Sequence, residues 1–217
     1  DTMTLRWNAA WTGGFLHLPK GRDGLEGLPE PWGHVVFSSP VGPGWARNGD
    51  FTDPRQGTAL YAPLPHDWAQ WRGLYLHGND VILSYTVGGI GVLELAGIEQ
   101  AGDRIAFTRT LQFESSTRNQ ALLVAQLPGA VAEIQGDSVL LRDPGTQQSL
   151  RATVEGVDGA VWEAGADGRL VLRLPRIRAH QSFRLVMSGG EGGIGVGSGF
   201  HPTVKPADLV ALTRGGP

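Results

Sequence analysis

Apolar and polar positions alternate with a period of two along most of the chain. Met3, Leu5 and Trp7 alternate with Thr4 and Arg6, and Val81, Leu83, Tyr85 and Val87 alternate with Ile82, Ser84 and Thr86. Ile105, Phe107, Leu111 and Phe113 share one face opposite Arg104, Thr108 and Thr110. The pattern returns at Leu170, Leu172 and Leu174 and at Phe183, Leu185 and Met187. Successive side chains of a strand point to opposite faces, so each run predicts one strand with a single core-facing side. Turn signals such as Gly78-Asn79-Asp80, Gly88-Gly89, Gly102-Asp103, Gly136-Asp137, Asp143-Pro144-Gly145 and Asp167-Gly168 separate the runs. Together they predict consecutive antiparallel strands, a nearly unbroken hairpin series over 79–188, and an all-β antiparallel sandwich of ten or more strands.

The remainder reads differently. Prolines 19, 29, 31, 40, 43, 54, 63 and 65 leave room for one short strand, His34 to Ser38, within a loop-rich layer over 19–78. His66 to Arg72 is expected to form one turn. Pro206 to Thr213 predicts a short C-terminal helix, and with the Gly-rich loop before it completes a segment over 189–217. The whole is expected to be one β-sandwich domain over 1–217. Its strand-like opening and its closing Leu212-Thr213-Arg214-Gly215-Gly216-Pro217 predict that it is cut from a longer chain.

Composition narrows the chemistry. The 217 residues are 41% apolar and 18% charged, enough for a real core. A net charge of −3 argues against a nucleic-acid surface built on bulk positive charge. No apolar run approaches the roughly 18 residues of a membrane span. Zero cysteines exclude disulfides, Cys-ligated metals, c-type haem attachment and a thiol nucleophile. The six histidines show no metal-ligand spacing, so neither metal nor cofactor is expected. Gly190-Glu191-Gly192-Gly193-Ile194-Gly195 matches a dinucleotide fingerprint but is followed by His201-Pro202 rather than opening a helix, and it reads as a loop.

Six of the seven tryptophans lie in the first 71 residues. An indole is a large apolar plate with one polar edge; it can pin a Pro-rich layer onto a sheet, or stack on the apolar face of a sugar. Trp32, Trp45, Trp68 and Trp71, with Arg72, Tyr75 and His77, are the candidate ligand contacts. Arg109 falls on an apolar strand face, where a guanidinium must be paired or face a cavity. Glu94 shares a face with Ile90 and Val92 on the preceding strand and is its first candidate partner. His66, Asp67 and His77 are the remaining candidates for acid–base chemistry, with Glu94 and Arg109.

At Trp11-Thr12-Gly13-Gly14-Phe15, Gly42-Pro43-Gly44-Trp45, Asp50-Phe51-Thr52-Asp53-Pro54-Arg55, Pro63-Leu64-Pro65-His66-Asp67-Trp68 and Gly73-Leu74-Tyr75-Leu76-His77-Gly78, the chain resembles an uncharacterised domain of large secreted multi-domain proteins of planctomycetes and related bacteria. The resemblance extends through Leu83 to Gly89, is strong to about residue 115 and diffuse beyond it. It implies a secreted or periplasmic location and neighbouring domains in the same chain: a β-propeller-like segment, often with c-type cytochrome or sugar-hydrolase-like modules. It supplies no catalytic residues. Val81 to Phe113 is also similar to the supersandwich of galactose-mutarotase-like domains, which bind or process carbohydrate on a sheet face. Three functions stay open: a non-catalytic module binding oligosaccharide or polysaccharide, a sugar-active enzyme (epimerase, lyase or hydrolase) using a His and a carboxylate, and a structural spacer or docking domain for a propeller or cytochrome module.

Overall fold

The computed structural model describes residues 1–20, 27–55, 57, 62–116, 118–177, 181–191 and 206–214. Most of the glycine-rich stretch, with His180 and His201, lies outside the described residues. Among the described residues, thirteen strands form two antiparallel sheets. The smaller sheet has the order β1 (Ala9–His17), β2 (Glu30–Ser38), β7 (Gln120–Gln126), β12 (Arg169–Leu174) and β11 (Val161–Ala164). The larger has the order β3 (Ala69–His77), β4 (Asp80–Val87), β5 (Ile90–Ala101), β6 (Arg104–Phe113), β13 (Ser182–Glu191), β10 (Gln148–Glu155), β9 (Ser138–Arg142) and β8 (Val131–Gln135). The chain is a sandwich, as the alternation predicts.

The core lies between the sheets. Tyr85 and Val87 of β4, Val92 of β5, Leu111 and Phe113 of β6, and Phe183, Leu185 and Met187 of β13 face Leu122 and Val124 of β7 and Leu170, Leu172 and Leu174 of β12. Most of these are positions that the period-two pattern assigns inward. Helix α1 (Leu209–Leu212) lies over the opposite face of β5 and β6. There Gln112 of β6 accepts a hydrogen bond from the Val210 N–H at 2.9 Å and donates one to the Asp208 carboxylate at 3.0 Å. The helix is shorter than the predicted Pro206 to Thr213, ending after one turn.

Three expectations need correction. Met3 to Trp7 is not a strand: the Asp1 carboxylate accepts from the Met3 and Thr4 amides and from the Thr4 hydroxyl, which closes a turn, and Leu5 adopts a positive φ of 52°. This is the side-chain mimicry of a backbone turn that Asp performs well. The layer over 19–78 contains the whole of β2 and β3, so it holds far more strand than prolines alone allow. Pro31 is accommodated near the start of β2. The turn at residues 66–68 is real, but the chain then enters β3 at Ala69.

After β2, the chain leaves the smaller sheet and returns beside the same neighbour. Ser38 of β2 pairs with Gln126 of β7, and Trp45 then bridges to Leu122 farther along β7. The Ala46 amide donates to Ala121 and the Leu123 amide to Gly44. This return carries Trp45 into the core and sets Arg47 at one end of the sandwich.

Candidate functional site

The candidate residues separate into four environments. Trp45 is fully buried, its ring 5.7 Å from Phe113 and nearly perpendicular to it. Trp68 is buried beside it and donates its indole N–H to the Trp45 carbonyl at 2.8 Å. Their burial corrects the reading of these two rings as ligand contacts: they pin the Pro-rich layer onto the sandwich. Trp71 is half-buried and packs against the same core. Trp32 stands 67% exposed on β2, away from the other three. The four rings therefore share no groove.

Glu94 and Arg109 form the second environment. Glu94 pairs across the β5–β6 hairpin with Leu111, two residues from Arg109, which places the two side chains diagonally on one face. Arg109 donates from Nε to Glu94 Oε1 at 2.9 Å and from Nη2 to Oε2 at 3.0 Å. The Trp7 indole donates to Oε1 at 2.5 Å and the Tyr85 hydroxyl to Oε2 at 2.6 Å. The Arg109 guanidinium lies 4.9 Å from the Trp7 ring centre. Four donors fill the acceptor positions of the carboxylate. Burial by itself would push the Glu94 carboxyl up; the Arg109 charge and the hydrogen bonds outweigh it and hold the group below its ordinary range. Tyr85 is pushed well above the usual phenol value, first by burial and then by the Glu94 charge. Glu94 and Arg109 are 2% and 1% exposed. A carboxylate that is both saturated and sealed has no proton to trade with a substrate, so this pair is structural.

The third environment is a cleft of about 610 Å³ on the outer face of the larger sheet. Gln70, Gly73 and Tyr75 of β3 lie opposite Thr86, Ser84 and Ile82 of β4. The register shifts between Trp71 and Gly73, so Arg72 is the extra residue of a β-bulge. Bulges re-aim a side chain, and here Arg72 joins Tyr75, Ser84, Thr86 and Glu114 around the cleft. Gly73 has a φ of 136°, a conformation costly for other residues, and a side chain there would meet open space. A Cβ on Gly91 would meet the Glu114 carboxyl group, the movable end of a flexible side chain. With no side chain there, that carboxylate can rest over the sheet. Tyr75 is 44% exposed, and the Arg72 guanidinium is held on one side by the Gln70 side-chain oxygen at 3.3 Å. Of the sequence candidates, Arg72 and Tyr75 meet here; Ser84, Thr86 and Glu114 were not among them. The doublet Arg72-Gly73 inside a strand was the available signal, since an interior glycine often marks a bulge.

The fourth environment is a larger cleft of about 790 Å³ at one end of the sandwich, where Asp67 pairs with Arg47. His66 sits on the exposed turn before β3 and His77 at the exposed far end of β3, so neither faces Asp67 or Glu94 as an acid–base partner. Among the described residues, no group of three or more His, Cys, Asp or Glu side chains is placed to hold a metal ion. No described helix is long and apolar enough to cross a membrane.

Residues 1–94 match a family described as a domain of unknown function (DUF6797). No curated protein matches the sequence. Among solved structures, a heparinase III (the BT4657 gene product, with methylated lysines) is similar over 79% of this chain, at 10% identity and a TM-score of 0.38. This chain spans 31% of the length of that one.

Proposed function

We propose that the domain is a non-catalytic carbohydrate-binding module of an exported multi-domain protein, and that sugar binds in the outer-face cleft of β3 and β4. One observation carries the reading: the half-exposed Tyr75 ring lines a glycine-floored depression together with a guanidinium, a carboxylate and two hydroxyls. A pyranose presents an apolar face of C–H groups and a rim of hydroxyls. An aromatic ring suits the face, and Arg72, Glu114, Ser84 and Thr86 supply the donors and acceptors for the rim. Among the described residues, the histidines stand outside this cleft and Glu94 is sealed, so no described His–carboxylate pair lies in it for acid–base work. The sequence resemblance supplies the exported setting and the neighbouring propeller or cytochrome domains as partners.

An open sheet-face site buries little of a sugar, so affinities of about micromolar or weaker are expected, near −8 kcal/mol. Calorimetry against soluble polysaccharides should detect binding that Tyr75→Ala abolishes and Arg72→Ala weakens, with both variants melting like the parent. Release of new reducing ends or unsaturated sugars during the titration would instead make the cleft an active site. A glycan array without a single hit would leave the module reading without a ligand and overturn it.

A further inference from the structure

The end cleft carries an excess of cationic side chains, whereas the outer-face cleft has one arginine and one carboxylate. Around the end cleft stand three guanidinium groups, Arg47, Arg118 and Arg173, against two carboxylates, Asp67 and Glu163. The chain as a whole carries −3, so this excess of positive charge runs against the balance of the molecule. Arg47 is paired with Asp67 through one terminal nitrogen, and Arg173 with Glu163 through Nε at 2.6 Å. A guanidinium has five N–H donors, so each of these keeps most of its donors unspent. The Arg118 side chain is exposed and has no polar partner among the described residues.

The elements that converge here keep the donors apart yet aimed at one space. Arg173 is on the solvent face of β12, alternating with buried Leu172 and Leu174. Arg47 is placed by the return of the chain along β7, and Asn48 and Gly49 follow it with positive φ values of 54° and 86°. A Cβ on Gly49 would sit 3.4 Å from an Arg173 terminal nitrogen, so this turn approaches that guanidinium closely. Arg118 enters from the segment just before β7.

We propose that this end cleft is a second ligand site, selective for an oxyanion with two or more oxygens on one centre; its assignment to the carboxylate or sulfate of an acidic sugar rests on the carbohydrate reading above. Arg118 supplies the free fork. The spare donors of Arg47 and Arg173 complete the coordination, and the two resident carboxylates hold those arginines in place while repelling an anion that fails to reach all three. Planar bidentate recognition of this kind is what arginine does better than lysine.

The test is a titration of the isotope-labelled 217-residue chain with sodium sulfate and, separately, with D-glucuronate, at ionic strength held constant with chloride. The arginine Nε–H resonances of Arg47, Arg118 and Arg173 are expected to shift saturably with at least one anion and not with D-glucose. Sulfate alone would assign a sulfate ester and glucuronate alone a uronic acid, and either supports the site. Arg118→Ala should weaken binding about tenfold or more without moving the melting temperature, because that side chain is exposed. Arg72→Ala, in the other cleft, should leave the anion response unchanged, which separates this site from the one proposed above. No saturable shift with either anion, equal shifts with glucose, or parental affinity in Arg118→Ala overturns the proposal.

Discussion

Among the described arginine–carboxylate pairs, two stand near opposite extremes of burial, with others between them. Arg109 and Glu94 sit between the sheets with side chains 1% and 3% exposed; Arg47 and Asp67, at the end of the sandwich, are 48% and 65% exposed. The inner pair is surrounded by Trp7 and Tyr85, which spend their own polar atoms on Glu94. The outer pair has solvent as its surroundings. Taking two charges out of water costs several kcal/mol per ion, which the pairing and the added hydrogen bonds must offset; Glu94 is fully bonded, while Arg109 Nη1 is buried without a hydrogen-bond partner. The inner carboxylate therefore has every acceptor committed to the fold, whereas the outer pair keeps donors to offer a ligand. The same two residue types hold the structure in one place and are free to recognise something in the other.

The largest effect that would break this comparison is removal of one inner partner. Arg109→Ala leaves Glu94 buried without its counter-charge and should cost about 3–5 kcal/mol. Arg47→Ala should cost about 0–1 kcal/mol, the range for exposed pairs. Chemical denaturation of both variants measures the difference. Equal losses would mean that the inner pair is hydrated in solution.

Much of this contrast was legible in the sequence. Arg109 interrupts an apolar strand face, and Glu94 stands on the facing side of the preceding strand, so their pairing follows from the period of two and a short hairpin turn. The strands that alternate cleanly, β4, β6, β12 and β13, were legible for the same reason. β1 and β3 were hidden because Gly13-Gly14 and the bulge at Arg72-Gly73 break the alternation that identifies a strand. The tryptophans show the limit most clearly. Composition says that large rings are concentrated in one layer, but whether a ring faces in or out depends on the path of the chain. Trp45 is buried because residues 44–46 return along β7, a non-local pairing that no local pattern encodes. Glu114, Ser84 and Thr86 come to line the cleft through pairings of β3, β4, β5 and β6, and beside the candidates Arg72 and Tyr75 only the glycine of the bulge hinted at it.

A second comparison sharpens the first at slightly smaller cost. Trp68→Ala removes a ring that is 4% exposed together with its hydrogen bond to the Trp45 carbonyl, and should destabilise by about 3–4 kcal/mol. Trp32→Ala, on the exposed face of β2, should change stability by no more than about 0.5 kcal/mol. Thermal melts of the two variants decide it. A comparable loss in Trp32→Ala would place that ring in a packed interface rather than in solvent.

The smallest effect concerns protons rather than packing. The folded state holds the Glu94 carboxyl below the ordinary glutamate value of 4.5. Above about pH 4.5 the group is ionised whether the chain is folded or not, and its stabilisation is fully present. As the pH falls below that value, the unfolded chain takes up the proton first, so stability declines until the pH has passed the folded value. One such group contributes at most about 1.4 kcal/mol per pH unit to the slope. Other carboxylates add to it, among them Asp53, which the Arg55 hydrogen bond also holds low. Glu94→Gln should be less stable at neutral pH, because Arg109 loses its charge partner, yet its stability should fall less steeply between about pH 4.5 and 3. Arg47→Ala, which leaves the inner cluster intact, should keep the parental slope. Denaturation midpoints measured across that window test the assignment: an unchanged slope in Glu94→Gln would mean that the acid sensitivity of the fold resides in its exposed carboxylates, and that the sealed pair contributes packing and hydrogen bonds but no proton linkage.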